Sequence, residues 1–440
     1  MNVSWLLVRI CLFIFFSLLP FLNKKYRTKE NIQKTILSIT LFTLVIITAL
    51  IFQIDILIAV IIFIVLYILL DKKTYTKKRL LIYGAVLLLI VVTVSILFRD
   101  NPDYVLHHLQ KNPETTSLYV KRNGEEIISY QADTVRPLAS TMKIPIAVEY
   151  AMQVEEGLLD KEELVPLDEL ARFYFKDTDG GAHEQWLEAI QDDGKVTDGQ
   201  VALHEVAKGM IMFSSNANTE YLMHKLGIPA INNRIEKLGF ADADHDPVYP
   251  IVGALLIPED IATDSMDKND IVAVLEAMSM ENYRERSLDL SLQLEKGEID
   301  IESYSINSPF TVQRVWSDRL PGGTARTYGE LLGIISNDEL PGEAAEIVRD
   351  LLEWPMEINK ENENFYAHIG AKGGSTAFIL NDALYAEDLD GNKTEIVILT
   401  DDLNIWESLM LGRNLNSFQV NMIMNEDYLE KVKQELQSDK

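Results

Sequence analysis

The sequence predicts an α/β domain preceded by four membrane-crossing helices. Three observations carry this. Four apolar runs fill the first hundred residues, the charge balance reverses after them, and strand-like segments stand at both ends of the remainder with helical patterns between. The chain has 440 residues, 40 basic and 67 acidic, for a net charge of −27. Residues 1–99 hold 12 basic residues against three acidic ones, so residues 100–440 hold 28 against 64, a balance of −36. Such an acidic surface repels phosphate backbones and excludes nucleic acid as a partner. The single cysteine, Cys11, rules out an intramolecular disulfide and a cysteine-based metal cage.

The apolar runs are about Trp5–Leu22, Thr35–Phe52, Ile54–Leu70 and Leu80–Phe98, each near the ~20 residues needed to span a bilayer core. No small-residue cleavage site follows Phe21, so the first is a span and not a signal peptide. The loop after the first span carries Lys24, Lys25, Arg27, Lys29 and Lys34. The loop after the third carries Lys72, Lys73, Lys77, Lys78 and Arg79, and the turn at Gln53–Asp55 has no basic residue. Basic loops stay in the cytoplasm. The expectation is therefore a multi-pass cell-membrane protein, residues 1–99 being the membrane region and residues 100–440 one extracytoplasmic domain. Arg9 and Asp55 read as residues that reach water near the membrane surface.

Within the second half, residues 101–115 read as a short helix. Ser117–Lys121 and Glu126–Tyr130 read as strands joined at Arg122-Asn123-Gly124. Arg136–Ala139 breaks the pattern, and from Ser140 apolar residues fall at helical spacing. Residues 155–355 read as mainly helical. Strand patterns return at Phe365–Ala371, Ala377–Ala386 and Thr394–Thr400, and an amphipathic helix begins near Asn404. A sheet closed by distant segments follows.

Three short elements carry chemistry. Ser140-Thr141-Met142-Lys143 places a hydroxyl and an amine three residues apart, on one face of a helix. A serine becomes a useful nucleophile when a neighbouring base takes its proton, and a lysine serves if burial and nearby positive charge depress its pKa. Ser214-Ser215-Asn216 offers a hydroxyl to pass a proton and an amide to grip a substrate. Lys372-Gly373-Gly374-Ser375 offers a point charge for a carboxylate, glycines that let a substrate approach a strand edge, and the Ser375 amide as an oxyanion donor. A second S-x-x-K, Ser265–Lys268, has no flanking hairpin and reads as chance. His183-Glu184 and His204-Glu205 lack the further histidine of a zinc protease motif. Tyr174, Trp316 and Arg326 are open between a cleft lining and the core or surface.

In this order and context, the elements resemble the class A β-lactamase and penicillin-binding-protein superfamily over about residues 104–437. The resemblance implies an antiparallel sheet flanked by helices, an all-helical subdomain and a serine hydrolase that needs no cofactor and no metal. Ser140 would form an acyl-enzyme with β-lactams or D-alanyl cell-wall peptides, Lys143 would take its proton, and Ser214 would protonate the leaving group. Asn216, Lys372, Gly373, Gly374 and Ser375 would bind substrate.

Departures matter equally. The second element has Ser215 where an aspartate is usual, and the third lacks the hydroxyl at Gly373. The region Leu238–Ile257 contains no glutamate to activate a deacylating water, leaving Asp246 as the substitute. Slow hydrolysis of β-lactams is the consequence. The acidic stretch Glu281–Ser305 reads as a solvated insert in preference to a lid. Rival readings are a β-lactam or cell-wall sensor signalling through a membrane protein partner, and a scaffold without activity.

Overall fold

The computed structural model describes residues 100–240, 244–263, 265–304 and 310–437, together with Phe42. Apart from Phe42, the four expected spans and both basic loops lie outside the described residues. Among those described, no helix is long and apolar enough to cross a membrane. The chain divides into two compact units, Met1–Arg99 and Asp100–Lys440, and only the second is described below.

The domain opens with helix α1 (Pro102–Lys111) and the hairpin β1 (Thr116–Arg122) and β2 (Glu125–Tyr130). It closes with β3 (Tyr366–Ser375), β4 (Leu380–Asp388) and β5 (Lys393–Thr400), and then with long C-terminal helices. The sheet order is β2-β1-β5-β4-β3, antiparallel throughout. Its two chain-distant halves meet where β1 pairs with β5, Thr116 opposite Thr400 and Arg122 opposite Thr394. Alternation decides which core each residue enters. On β4, Leu384 and Ala386 pack toward the terminal helices, whereas Ala383 and Tyr385 pack toward the helical region.

Between the sheet halves the chain is mainly helical, as the sequence pattern indicates. Arg136 is buried and ties the segment before Ser140 to β1. It donates from Nε to Ser117 Oγ at 2.7 Å and from its terminal nitrogens to the Glu114 and Thr116 carbonyls. Glu220, buried on the helix Asn216–Leu226, accepts the N–H groups of Ile251, Val252 and Gly253 and the Ser291 hydroxyl. These amides open the helix Ile251–Asp260, so one carboxylate satisfies its orphan donors and fixes its direction.

Two expectations change here. Ser140 lies in a tight turn, Ala139–Met142, and the α-helix begins only at Lys143. The described part of the stretch Glu281–Ser305 is not a solvated insert. The helix Met280–Lys296 occupies most of it and buries Tyr283, Ser287, Leu290 and Leu294. It packs so closely on Ile251–Asp260 that a Cβ at Gly253 would stand 2.1 Å from the Ser287 carbonyl oxygen.

Glu220→Gln would turn an amide N–H toward a donor and weaken four charge-assisted hydrogen bonds. The expected loss of unfolding free energy is about 2 kcal/mol, read from the midpoint of urea denaturation.

Candidate functional site

The three sequence elements converge on one cleft of about 690 Å³, lined by Ser140, Ser214, Asn216, Lys372, Gly373, Gly374 and Ser375. Each arrives by a local device. Ala139, just before the serine, adopts a left-handed φ of 47°, a conformation worth about 1–2 kcal/mol of strain for a non-glycine residue. Thr141 Oγ1 donates to the Leu138 carbonyl, and the Leu138 N–H donates to the Pro321 carbonyl, which holds the turn.

The second element follows a π-turn, Gly209–Phe213, that ends at Ser214 in the left-handed region with φ 71°. A Cβ at Gly209 would meet the Asn218 side-chain nitrogen at 2.1 Å, so glycine lets this turn pack against Asn218 and Trp186. Ser215 Oγ accepts the Asn218 N–H and caps the next helix. Capping therefore falls to the middle residue, and Ser214 and Asn216 face the cleft.

Lys143 is 0% exposed. Its amine donates to the Ser214 carbonyl at 2.7 Å, to Asn216 Oδ1 at 3.0 Å and to Ser214 Oγ at 3.3 Å. The i to i+3 pairing of Ser140 and Lys143 is thus turned from its expected form, because the tight turn carries Ser140 and the amine reaches across to the second element. Burial, with the charge of Lys372 behind it, holds the Lys143 amine well below the ordinary lysine range, and Asp179 opposes this.

Lys372 on β3 is also buried, and its amine donates to Ser214 Oγ at 3.0 Å and to the Gly373 carbonyl at 2.8 Å. Ser214 Oγ therefore lies between two lysine amines. Burial pushes Lys372 down to about 8, against the pull of Asp382, which pairs with Gly373 on the neighbouring strand β4 and accepts from Gln419 on the other face of the sheet. Burial raises the Asp382 carboxyl in turn. Asp382 escaped sequence reading; a carboxylate inside the apolar pattern of Ala377–Ala386 was the available signal.

Strand β3 is the edge of the sheet. Its free edge carries the Ala371 carbonyl, covered by the Trp354 indole N–H at 2.8 Å. With N–H and C=O of each residue on the same side and sides alternating, Gly373 and Ser375 present their backbone groups to that same edge. The turn holding Ser140 sits against this strand end, since a Cβ at Gly374 would lie 2.7 Å from the Ser140 nitrogen. Asn381 knits the arrangement by donating to the Pro137 carbonyl at 2.8 Å and accepting the Thr400 N–H. An amide nitrogen of the serine and one of the strand edge thus border one space, the arrangement an oxyanion requires.

The wall opposite is apolar. Ile251, Leu255 and Pro258 line it. Asp246 is not there: it pairs with Arg284 at 3.0 Å and accepts the Gly322 N–H. Asp177 and Asp179 line the cleft, but Asp179 accepts three helix-opening amides, those of Gly181, Ala182 and His183. Of the other residues left open by sequence, Trp316 lines the cleft, while Arg326 pairs with Glu126 and Asp133 outside it. His183 binds Ser215 Oγ, and among the described residues no group of three His, Cys, Asp or Glu side chains could hold a metal ion.

Residues 103–288 match the model of the beta-lactamase enzyme family, 186 of the 440 residues. No curated protein matches the chain. Among solved structures, a representative of class A β-lactamase from Bacteroides cellulosilyticus DSM 14838 is 15% identical with a TM-score of 0.43, covering 73% of this chain and 98% of that one. A β-lactamase from Chitinophaga pinensis DSM 2588 is 13% identical with a TM-score of 0.43, covering 73% and 99%. PBP-A is 17% identical with a TM-score of 0.42, covering 73% and 97%. The match over residues 103–288 and the antiparallel sheet flanked by helices agree with a β-lactamase-like α/β fold. Residues 103–288 are thus similar to the beta-lactamase enzyme family.

Gly374→Ala would push the strand end and the Ser140 turn apart by several tenths of an ångström. Labelling of Ser140 by a fluorophosphonate is expected to slow about 100-fold, with far-UV circular dichroism unchanged.

Proposed function

We propose that the protein is a membrane-held, extracytoplasmic acyl-enzyme former of the penicillin-recognising type, acting on β-lactams or D-alanyl cell-wall peptides and releasing the acyl group slowly. The observation that carries this reading is the buried Lys143 amine, bonded to Ser214 and Asn216 in the same cleft as Ser140.

In the first step the Ser140 Oγ–carbonyl bond forms while the serine proton passes to the neutral Lys143 amine. The negative charge on the carbonyl oxygen is met by the Ser140 and Ser375 amides. The bond to the leaving amine then breaks, and Ser214 hands that nitrogen a proton supplied through Lys143. Asn216 turns its amide toward the substrate, and Lys372 attracts the carboxylate at the far end. Slow release is supported by the apolar wall Ile251, Leu255 and Pro258 and by the engagement of Asp246 elsewhere. The side chains of that wall offer no carboxylate to take a water's proton. The membrane assignment is supported by the four apolar runs and the basic loops between them.

Intact-mass time courses with a penicillin should show a one-to-one adduct persisting well beyond its formation, absent in Ser140→Ala. Rapid drug hydrolysis without an adduct would overturn slow release, and neither adduct nor hydrolysis would overturn the β-lactam reading.

The rate of adduct formation should follow a bell-shaped pH profile. On the acid side it falls as Lys143 gains a proton and ceases to be a base. On the alkaline side it falls above about 8, where Lys372 loses the charge that attracts a carboxylate. Asp382→Asn removes the neighbouring charge that holds the Lys372 proton, so the alkaline limb should move to lower pH while the acid limb stays.

A further inference from the structure

The edge strand β3 carries a stop. By alternation Ala371, Gly373 and Ser375 turn their backbone groups outward. Two of those three carbonyls already accept a hydrogen bond from the chain itself. The Ala371 carbonyl takes the Trp354 indole N–H at 2.8 Å, and the Gly373 carbonyl takes the Lys372 amine at 2.8 Å. The Trp354 ring is half-buried, packs against both hydrophobic cores and lines the cleft.

The residue before it holds Trp354 in place. The Glu353 carboxylate accepts the Arg349 Nε–H and the Tyr385 hydroxyl, each at 3.0 Å, and lies 3.1 Å from His368 Nδ1. His368 is on β3 and Tyr385 on β4, so the start of the helix Trp354–Ile358 is pinned to the sheet itself. Arg349 is gripped in turn by both Asp338 oxygens at 2.7 Å. Charge-assisted bonds of this kind fix the backbone from which the ring projects.

A substrate paired with this edge runs antiparallel to β3, its reacting carbonyl on the Ser375 amide and its carboxylate end toward Lys372. The residue that keeps the acyl carbon then faces Ser375. The first leaving residue ends short of Gly373, within reach of the Lys372 amine. A second leaving residue would face Gly373, about 7 Å along the strand from Ser375, where the carbonyl is already engaged. Residues beyond it run toward the indole at Ala371.

The geometry points to Trp354 as the residue that closes the leaving side of the cleft, so that the leaving group is a single carboxylate-ended residue and interior peptide bonds are excluded. This rests on the acyl-enzyme reading above. The bond broken is the last amide of the substrate chain. Its carbonyl carbon stays on Ser140 Oγ, and the terminal residue departs as a free amine with the proton that Ser214 delivers.

The test gives the full-length chain in detergent two peptides, N-acetyl-Lys-D-Ala-D-Ala and the same peptide with a triglycine tail. Both deliver the same acyl group, so only the leaving side differs. Release of the leaving segment is followed by mass spectrometry, with adduct formation by a penicillin scored in parallel. The short peptide is expected to react at least about 100-fold faster than the tailed one, and Trp354→Gly to bring that ratio below about tenfold. Trp354→Leu, a milder change, should move the ratio the same way if the glycine variant does not fold. Equal rates in the unaltered protein, or a ratio that no folded variant moves, overturns the assignment. A penicillin adduct with no release from either peptide overturns it as well. Neither release nor a penicillin adduct overturns the acyl-enzyme reading instead, and the assignment with it.

Discussion

Lys143 is a lysine amine taken wholly out of water at the start of a helix, and most of the site follows from that. Burying an unpaired ammonium costs several kcal/mol, so the group needs polar partners and a lowered pKa. It finds Ser214 and Asn216, more than seventy residues away in sequence. Their supply explains the neighbouring oddities: a π-turn, a left-handed Ser214, and a glycine that lets the turn pack on Trp186 and Asn218. Local backbone strain is accepted where it delivers a carbonyl and an amide oxygen to one buried nitrogen.

A second buried lysine makes the arrangement work as chemistry. Lys372 shares Ser214 Oγ with Lys143, and its charge disfavours a proton on Lys143. The two buried amines thereby differ in their neighbours, Lys143 facing the charge of Lys372 and Lys372 the charge of Asp382. Asp382, on the adjacent strand, favours that second charge. Their separation depends on the sheet, because Lys372 and Asp382 lie on adjacent strands brought together only by register.

The apolar wall gives the site its direction. Glu220 fixes the start of the helix Ile251–Asp260, and that helix turns Ile251, Leu255 and Pro258 toward the cleft. The same carboxylate therefore sets which side chains line that part of the cleft. The helix Met280–Lys296 backs this wall and leaves it little room to move.

Sequence by itself determined much of this. Strand alternation, the Asn123-Gly124 turn and helical spacing after Ser140 are local signals, and the hairpin, the closing strands and the terminal helix stand where they indicate. The order Ser140–Lys143, Ser214–Asn216, Lys372–Ser375 also marked the residues that meet in one cleft, because motif spacing is local. Tertiary structure decided what depends on distant contacts. It gave Lys143 its partners across the chain, made Ser215 the helix cap, drew Asp246 to Arg284, and brought Asp382 onto the strand next to that of Lys372. It also packed the helix Met280–Lys296, since an acidic outer face conceals an apolar stripe that only a neighbouring helix can claim.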